Sequence, residues 1–177
     1  MRRLAGLLFV GAILSGCSTY ATQRYSVSVD NVMKLKDLGE NKVNVGPFTA
    51  TKPNQKEIMC RAVGPIKTPD GEPFENYIRK AFMDELRMAS AFSGDAKVTL
   101  TGNLDSIDFN SNSGKWLIDL TVVSSNGNSL SVSEAYDYKT SFYGETACNQ
   151  TAQALLPAVQ NVIGKVINNS KFGDLVK

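Results

Sequence analysis

KWLIDLTVVSSNGNSLSVSEAYDY, residues 115–138, decides the fold class. Trp116, Ile118, Leu120 and Val122 recur at every second position, Asn126-Gly127 interrupts, and Leu130, Val132, Tyr136 and Tyr138 resume the period. Successive side chains of a strand point to opposite faces, so this spacing marks two strands that each bury one face. Asn-Gly tolerates the positive φ that a tight hairpin needs. Upstream, Ser111-Asn112-Ser113-Gly114 turns the chain, and before it Val98, Leu100 and Leu104 alternate with polar residues. The apolar phase then slips to Ile107 and Phe109, which places a bulge near Asp105-Ser106. The three strands form an antiparallel meander with one apolar face.

Helical periodicity flanks the meander. From Pro73 onward, Phe74, Ile78, Phe82, Leu86 and Ala89 recur at spacing four, while Glu75, Arg79, Lys80, Asp84 and Arg87 fall elsewhere. This predicts an amphipathic helix, opened by a proline whose missing N–H has no partner there and closed near Ser93-Gly94. A last helix is predicted from about Thr146 to Asn168, with Cys148, Ala152, Leu155, Val159, Val162, Ile163, Val166 and Ile167 on one stripe. Pro157 predicts a kink or a break within it. Lys42 to Ala50, interrupted by Gly46-Pro47, reads as a bulged or edge strand, and Glu57 to Val63 as a second short strand before turns at Gly64-Pro65 and Thr68-Pro69-Asp70-Gly71. The expected class is α+β: an antiparallel sheet, made of the three-stranded meander plus one or two N-terminal strands, with two helices packed on one face.

The amino terminus carries a different signal. Met1-Arg2-Arg3, eleven apolar residues from Leu4 to Leu14 and then Ser15-Gly16-Cys17 combine basic charge, a short apolar run and small residues before a cysteine. Eleven residues are too few to cross a hydrocarbon core that needs roughly 20. Leu14-Ser15-Gly16-Cys17 resembles the lipobox of bacterial lipoproteins. That resemblance implies cleavage before Cys17 and its acylation, and Ser18 in place of an aspartate implies sorting to the outer membrane. The expected organisation is a signal peptide over 1–16, a lipidated N-terminus and tether over 17–41, and a single α+β domain over 42–177. In the tether, Ser26-Val27-Ser28-Val29 is the only alternation, consistent with a brief strand. Without residues 1–16 the chain keeps 161 residues, and its 19 basic residues lose Arg2 and Arg3 to leave 17 against 17 acidic. A balanced charge lacks the footprint of nucleic-acid binding.

With Cys17 acylated, Cys60 and Cys148 remain in an oxidising compartment and are expected to pair. A reactive thiol pair is the alternative, although there is no Cys-x-x-Cys spacing and no histidine to lower a thiol pKa. The absence of histidine also removes Ser-His-Asp and Cys-His systems and His-ligated metal sites. No Gly-rich phosphate loop is present, and neither cofactor nor metal is expected. Of the carboxylates, Asp105 and Asp108 form the nearest pair but flank a bulge. Glu134 lies in phase with the buried face, where it should pair with a cation such as Arg61 or Arg79 or else serve as a binding or catalytic acid. Trp116, Glu134, Phe142 and Tyr143 are the candidate contact residues, and Phe142 and Tyr143 cannot both point inward.

Lys42-Val43-Asn44-Val45-Gly46-Pro47-Phe48 followed by a helix, with Leu100-Thr101-Gly102-Asn103-Leu104 opening a meander, is similar to TolB N-terminal-type lipoprotein domains. The element order also resembles the lipoprotein that plugs the lipopolysaccharide transporter and the auxiliary lipoproteins of envelope lipid transporters. Cys60-Arg61-Ala62-Val63-Gly64-Pro65 and Ala147-Cys148 resemble signature positions of an uncharacterised proteobacterial lipoprotein family. These resemblances imply a non-catalytic, lipid-anchored periplasmic accessory protein that docks on an envelope-assembly or transport partner. A lipid- or glycan-binding module of the envelope is the alternative.

Overall fold

A computed structural model of the chain describes residues 20–37, 39 and 41–177, so the expected signal peptide and Cys17 lie outside the described residues. In chain order the elements are β1 (Tyr20–Ala21), α1 (Val29–Lys36), β2 (Val43–Ala50), β3 (Glu57–Cys60), β4 (Gly64–Lys67), α2 (Phe74–Met88), β5 (Val98–Asn110), β6 (Lys115–Ser124), β7 (Ser129–Asp137), α3 (Gly144–Ile167) and α4 (Phe172–Leu175). The class is α+β, with a four-stranded sheet in the order β2-β5-β6-β7 and a three-stranded sheet in the order β1-β4-β3.

The meander forms as its periodicity predicts. β5, β6 and β7 pair antiparallel, Asn126-Gly127 turns the hairpin, and the β5 register shifts between Leu104 and Ser106, where the phase slip placed the bulge. Leu100, Leu104, Ile118, Leu120 and Val122 form the buried face. β2 corrects the antiparallel expectation, because it pairs parallel to β5 with a bulge between Val45 and Phe48 at Gly46-Pro47. The segment between β2 and β5 carries α2, which returns the chain to the end where β2 began. Gly102 permits this pairing: a Cβ there would lie 2.6 Å from the Phe48 ring.

α2 buries Phe74, Ile78, Ala81, Phe82 and Leu86, and α3 buries Leu155, Val159, Val162 and Val166. α2 closes earlier than expected, at Met88, because Ser90 takes the left-handed conformation and the Ala91 N–H returns to the Leu86 carbonyl. α3 runs unbroken through Pro157, which corrects the predicted break. Leu155, Leu156, Ala158 and Val159 are buried on both sides of it, and each buried aliphatic side chain is worth about 1.5–3 kcal/mol against a proline cost of about 3.

The expected tether is largely absent. From Tyr20 to Lys36 the chain is built into the fold as β1, parallel to β4, and as α1, packed against α2 and α3. Ser28 caps α1 rather than extending a strand, accepting from the Asn31 N–H, and Val32 and Leu35 are buried. Glu85, fully buried on α2, fixes this segment: its Oε1 accepts from the Tyr25 hydroxyl, from the Ser28 N–H at 2.8 Å and from Asn31 Nδ2 at 3.3 Å. Asn31 Nδ2 also donates to the Gln160 carbonyl of α3 at 2.9 Å. Burial, reinforced by the Glu85 carboxylate, pushes the Tyr25 hydroxyl far above the usual tyrosine range, and burial does the same for Tyr77.

The run around Cys60 belongs to the smaller sheet. Gly64-Pro65, expected as a turn, opens β4, and the turn sits three residues earlier at Arg61-Ala62, where both residues have positive φ (47° and 54°) and the Val63 N–H closes on the Cys60 carbonyl. Two left-handed non-glycine residues cost about 1–2 kcal/mol each. The site is held from outside. Arg61 donates to the Ser111 hydroxyl (3.0 Å), the Ser111 carbonyl (2.7 Å) and the Phe142 carbonyl (3.0 Å). Cys60 and Cys148 are joined by a disulfide across 88 residues, as their pairing predicts. Among the described residues no helix is long and apolar enough to cross a membrane.

Candidate functional site

Two of the four candidate contact residues are structural. Trp116 is fully buried in phase with Ile118 and Leu120, its indole N–H donates to the Thr151 carbonyl at 2.8 Å, and its ring packs edge-on against Phe109. It is a core residue, not a contact. Glu134 is buried, but its cation is Lys165 of α3, with Nζ 3.0 Å from Oε2. This corrects the expected partners. Arg61 is committed to Ser111 and Phe142, and Arg79 donates to the carbonyls of Gly46 (2.6 Å) and Val45 (3.1 Å). Sequence periodicity could place Glu134 on the buried face but could not say that α3 crosses above β7.

Lys165 and Arg79 also bond to backbone carbonyls on the two edge strands of the sheet. Besides meeting Glu134, Lys165 donates to the Ser133 carbonyl on β7 at 2.6 Å. On the opposite edge, Arg79 covers β2 at its bulge, while Val43 exchanges backbone hydrogen bonds with Ala91 and Ser93. Capping an edge with cations and loop backbone removes the unpaired groups that a further strand would need. On β2 this covering obstructs addition of a partner strand along Val43 to Gly46, whereas on β7 it engages the single carbonyl of Ser133.

The face away from the helices is open and polar. Thr49 Oγ1 donates to Asn103 Oδ1 (2.9 Å), and Asn103 Nδ2 donates to Asp105 Oδ1 (2.6 Å). Thr121 Oγ1 donates to Asp105 Oδ2 (2.7 Å) and pairs with Ser131 Oγ at 2.8 Å. A hydroxyl has one proton, so Ser131 must donate in that last bond. The ladder crosses all four strands. Asp119, on the same face, accepts from the Ser106 hydroxyl at 2.5 Å, and the hydroxyls of Ser106 and Ser133 hold its carboxyl below the ordinary aspartate range. Leu117 and Val123 interrupt these polar groups and stay 42 % and 40 % exposed.

Asp105 and Asp108 make separate hydrogen bonds. Asp105 anchors the ladder, while Asp108 accepts from the neighbouring Phe109 N–H at 2.8 Å. Beside the bulge is a depression of about 460 Å³, whose lining includes Asp105, Ser106, Asp108, Leu117, Asp119, Glu134 and Lys165. The ion pair in its lining, Glu134 with Lys165, links β7 to α3. Among the described residues no group of three or more Cys, Asp or Glu is placed to hold a metal ion.

Phe142 and Tyr143 lie elsewhere, in the segment that leads into α3. The expectation that at least one would be exposed understates the result: Phe142 is 94 % and Tyr143 76 % exposed, with the two rings edge to face. Strand alternation ends at Tyr138, so no periodicity could fix their direction.

No family model matches this chain, and no curated protein matches it. A crystal structure of a DUF330-family protein from Xanthomonas campestris superposes with a TM-score of 0.54 at 10 % identity, covering 85 % of this chain and 95 % of that one. The likeness is one of fold.

Proposed function

We propose that this chain is a non-catalytic, lipid-anchored accessory protein of the bacterial outer membrane, facing the periplasm and docking on an envelope-assembly or transport partner. Cys17 in its lipobox-like context supports the anchor. The carrying observation for docking is the open sheet face, where Leu117 and Val123 are exposed amid an ordered row of hydroxyls and aspartates. A partially apolar, pre-ordered face loses little side-chain entropy on binding and suits a partner with basic and hydroxyl-bearing groups. Of the candidate acids, Asp105 is bonded into the ladder and Glu134 is paired with Lys165, which supports the non-catalytic part of the reading.

The depression beside the bulge favours a second reading, a small envelope ligand. Its volume suits a small molecule, and its carboxylates and hydroxyls suit a glycan better than an acyl chain. A photo-crosslinking residue at Leu117, in cells, tests both readings. Capture of one envelope protein from position 117 and not from Asn149, on the exposed side of α3, is the result expected for an accessory protein. Capture of glycan alone would replace it with the binding module. A Cys17→Ala chain should lose membrane attachment, and its retention would end the lipoprotein reading.

A further inference from the structure

We propose that Phe142 and Tyr143 form a second membrane contact, entering the headgroup region of the lipid surface to which Cys17 is anchored. The inference rests on acylation of Cys17. β1 runs parallel to β4, with Tyr20 opposite Ile66 and Ala21 opposite Lys67, so the chain enters β1 from the Gly64 end of β4. Two residues separate Cys17 from Tyr20, and the three Cα–Cα steps between them span at most about 10 Å. Any acyl chain on Cys17 is therefore held near the end of the molecule at which β4 begins.

Phe142 and Tyr143 stand at that same end. The Arg61-Ala62 turn leads into Gly64, and Arg61 donates to the Phe142 carbonyl at 3.0 Å. Gly144 lies so close to the turn that a Cβ on it would be 2.9 Å from Val63 Cγ2. The Cys60–Cys148 bridge ties the start of α3 to the strand before the turn. Two rings that are 94 % and 76 % exposed are thus presented by a cross-linked, arginine-held platform rather than by a loose loop.

Phenylalanine and tyrosine side by side suit a headgroup boundary, where an apolar ring and a ring with a polar tip both find partners. A lipid anchor within a few residues' reach makes that contact intramolecular in effect, so two side chains suffice. A protein partner is the rival occupant, and it lacks the tether's proximity.

The test uses full-length lipidated protein reconstituted in vesicles of phosphatidylethanolamine and phosphatidylglycerol, with part of the lipid carrying brominated acyl chains. Phe142→Trp and, separately, Tyr143→Trp report depth. Trp116, fully buried, is the internal reference. The expected result is a blue-shifted emission from the introduced tryptophan that falls with brominated lipid, while the wild-type Trp116 emission does not change. Two substitutions at exposed positions, with unchanged far-ultraviolet circular dichroism, guard against a misfolded variant. Unquenched emission from both variants, in protein whose N-terminal peptide mass shows acyl chains, overturns this inference alone. An unmodified Cys17 peptide overturns it together with the lipoprotein reading.

Discussion

The meander and residues 20–36 pack into the same fold by different means. β5, β6 and β7 are specified by many repeated small contributions, since every second residue from Trp116 to Val122 is buried on one face. β1 and α1 are specified by a few points: Ser28 as cap, Val32 and Leu35 as apolar contacts, and Glu85 accepting three hydrogen bonds at once. A periodic element survives the loss of one contact, whereas a point-anchored one depends on its anchor. Both regions can be tested on that difference.

Trp116→Ala should have the largest effect, costing about 3–5 kcal/mol by emptying a filled core position and removing the indole hydrogen bond to the Thr151 carbonyl. Urea unfolding should show one cooperative transition at much lower midpoint, because the meander and helices share this core. A mutant that lost only part of the molecule would break the claim of a shared core. Cys60→Ala with Cys148→Ala comes next, at about 2–5 kcal/mol, since the bridge closes 88 residues of chain. Its loss should also loosen the Arg61-Ala62 turn, which amide exchange at Val63 would report.

Glu85→Ala is the sharpest test of point anchoring. It should cost about 1–3 kcal/mol, by removing the acceptor of the Tyr25 hydroxyl and the Ser28 N–H, while Asn31 keeps its bond to the Gln160 carbonyl. Amide exchange should rise over 25–36 while β5 to β7 stay protected. Equal loss of protection in both regions would show that α1 and the sheet form one cooperative unit.

A smaller, pH-dependent effect follows from Tyr25. Its folded pKa is raised above the unfolded value near 10, so the stability it contributes is complete below pH 10 and declines as pH rises beyond that, by at most about 1.4 kcal/mol per pH unit. Tyr25→Phe should flatten part of that alkaline decline in thermal unfolding and leave the neutral-to-acid limb in place. Arg24→Ala, in the same segment, should change stability by less than about 0.5 kcal/mol. Its pair with Asp70 is exposed at 80 % and 60 %, where solvent screens the charge.

Legibility followed the same division. The hairpin at Asn126-Gly127, the bulge after Leu104, the two amphipathic helices and the Cys60–Cys148 pair were all readable, because each is written in spacing or in residue chemistry over a short stretch. Residues 18–38 read as tether because only Val32 and Leu35 of α1 are buried apolar groups, too few for a period. Their partner carried a signal that was overlooked: Glu85 lies four residues after Ala81 and seven after Ile78, on the apolar stripe of α2, where an acid needs a dedicated set of donors. The ion pair of Glu134 was half legible, its burial from phase but its cation from nowhere in the local sequence.

The sequence by itself determined the α+β class, the meander and its register, the helix faces and the candidate export signal. These depend on side-chain periodicity and turn chemistry, which act within one element. Tertiary structure alone decided that β2 runs parallel to β5, that Lys165 and Arg79 bond to the edge strands, that α3 passes through Pro157 unbroken, and that Phe142 and Tyr143 share an end with the entry to β1. Each of those joins residues tens of positions apart or weighs a local cost against burial elsewhere, and no local pattern records which distant surface will be present.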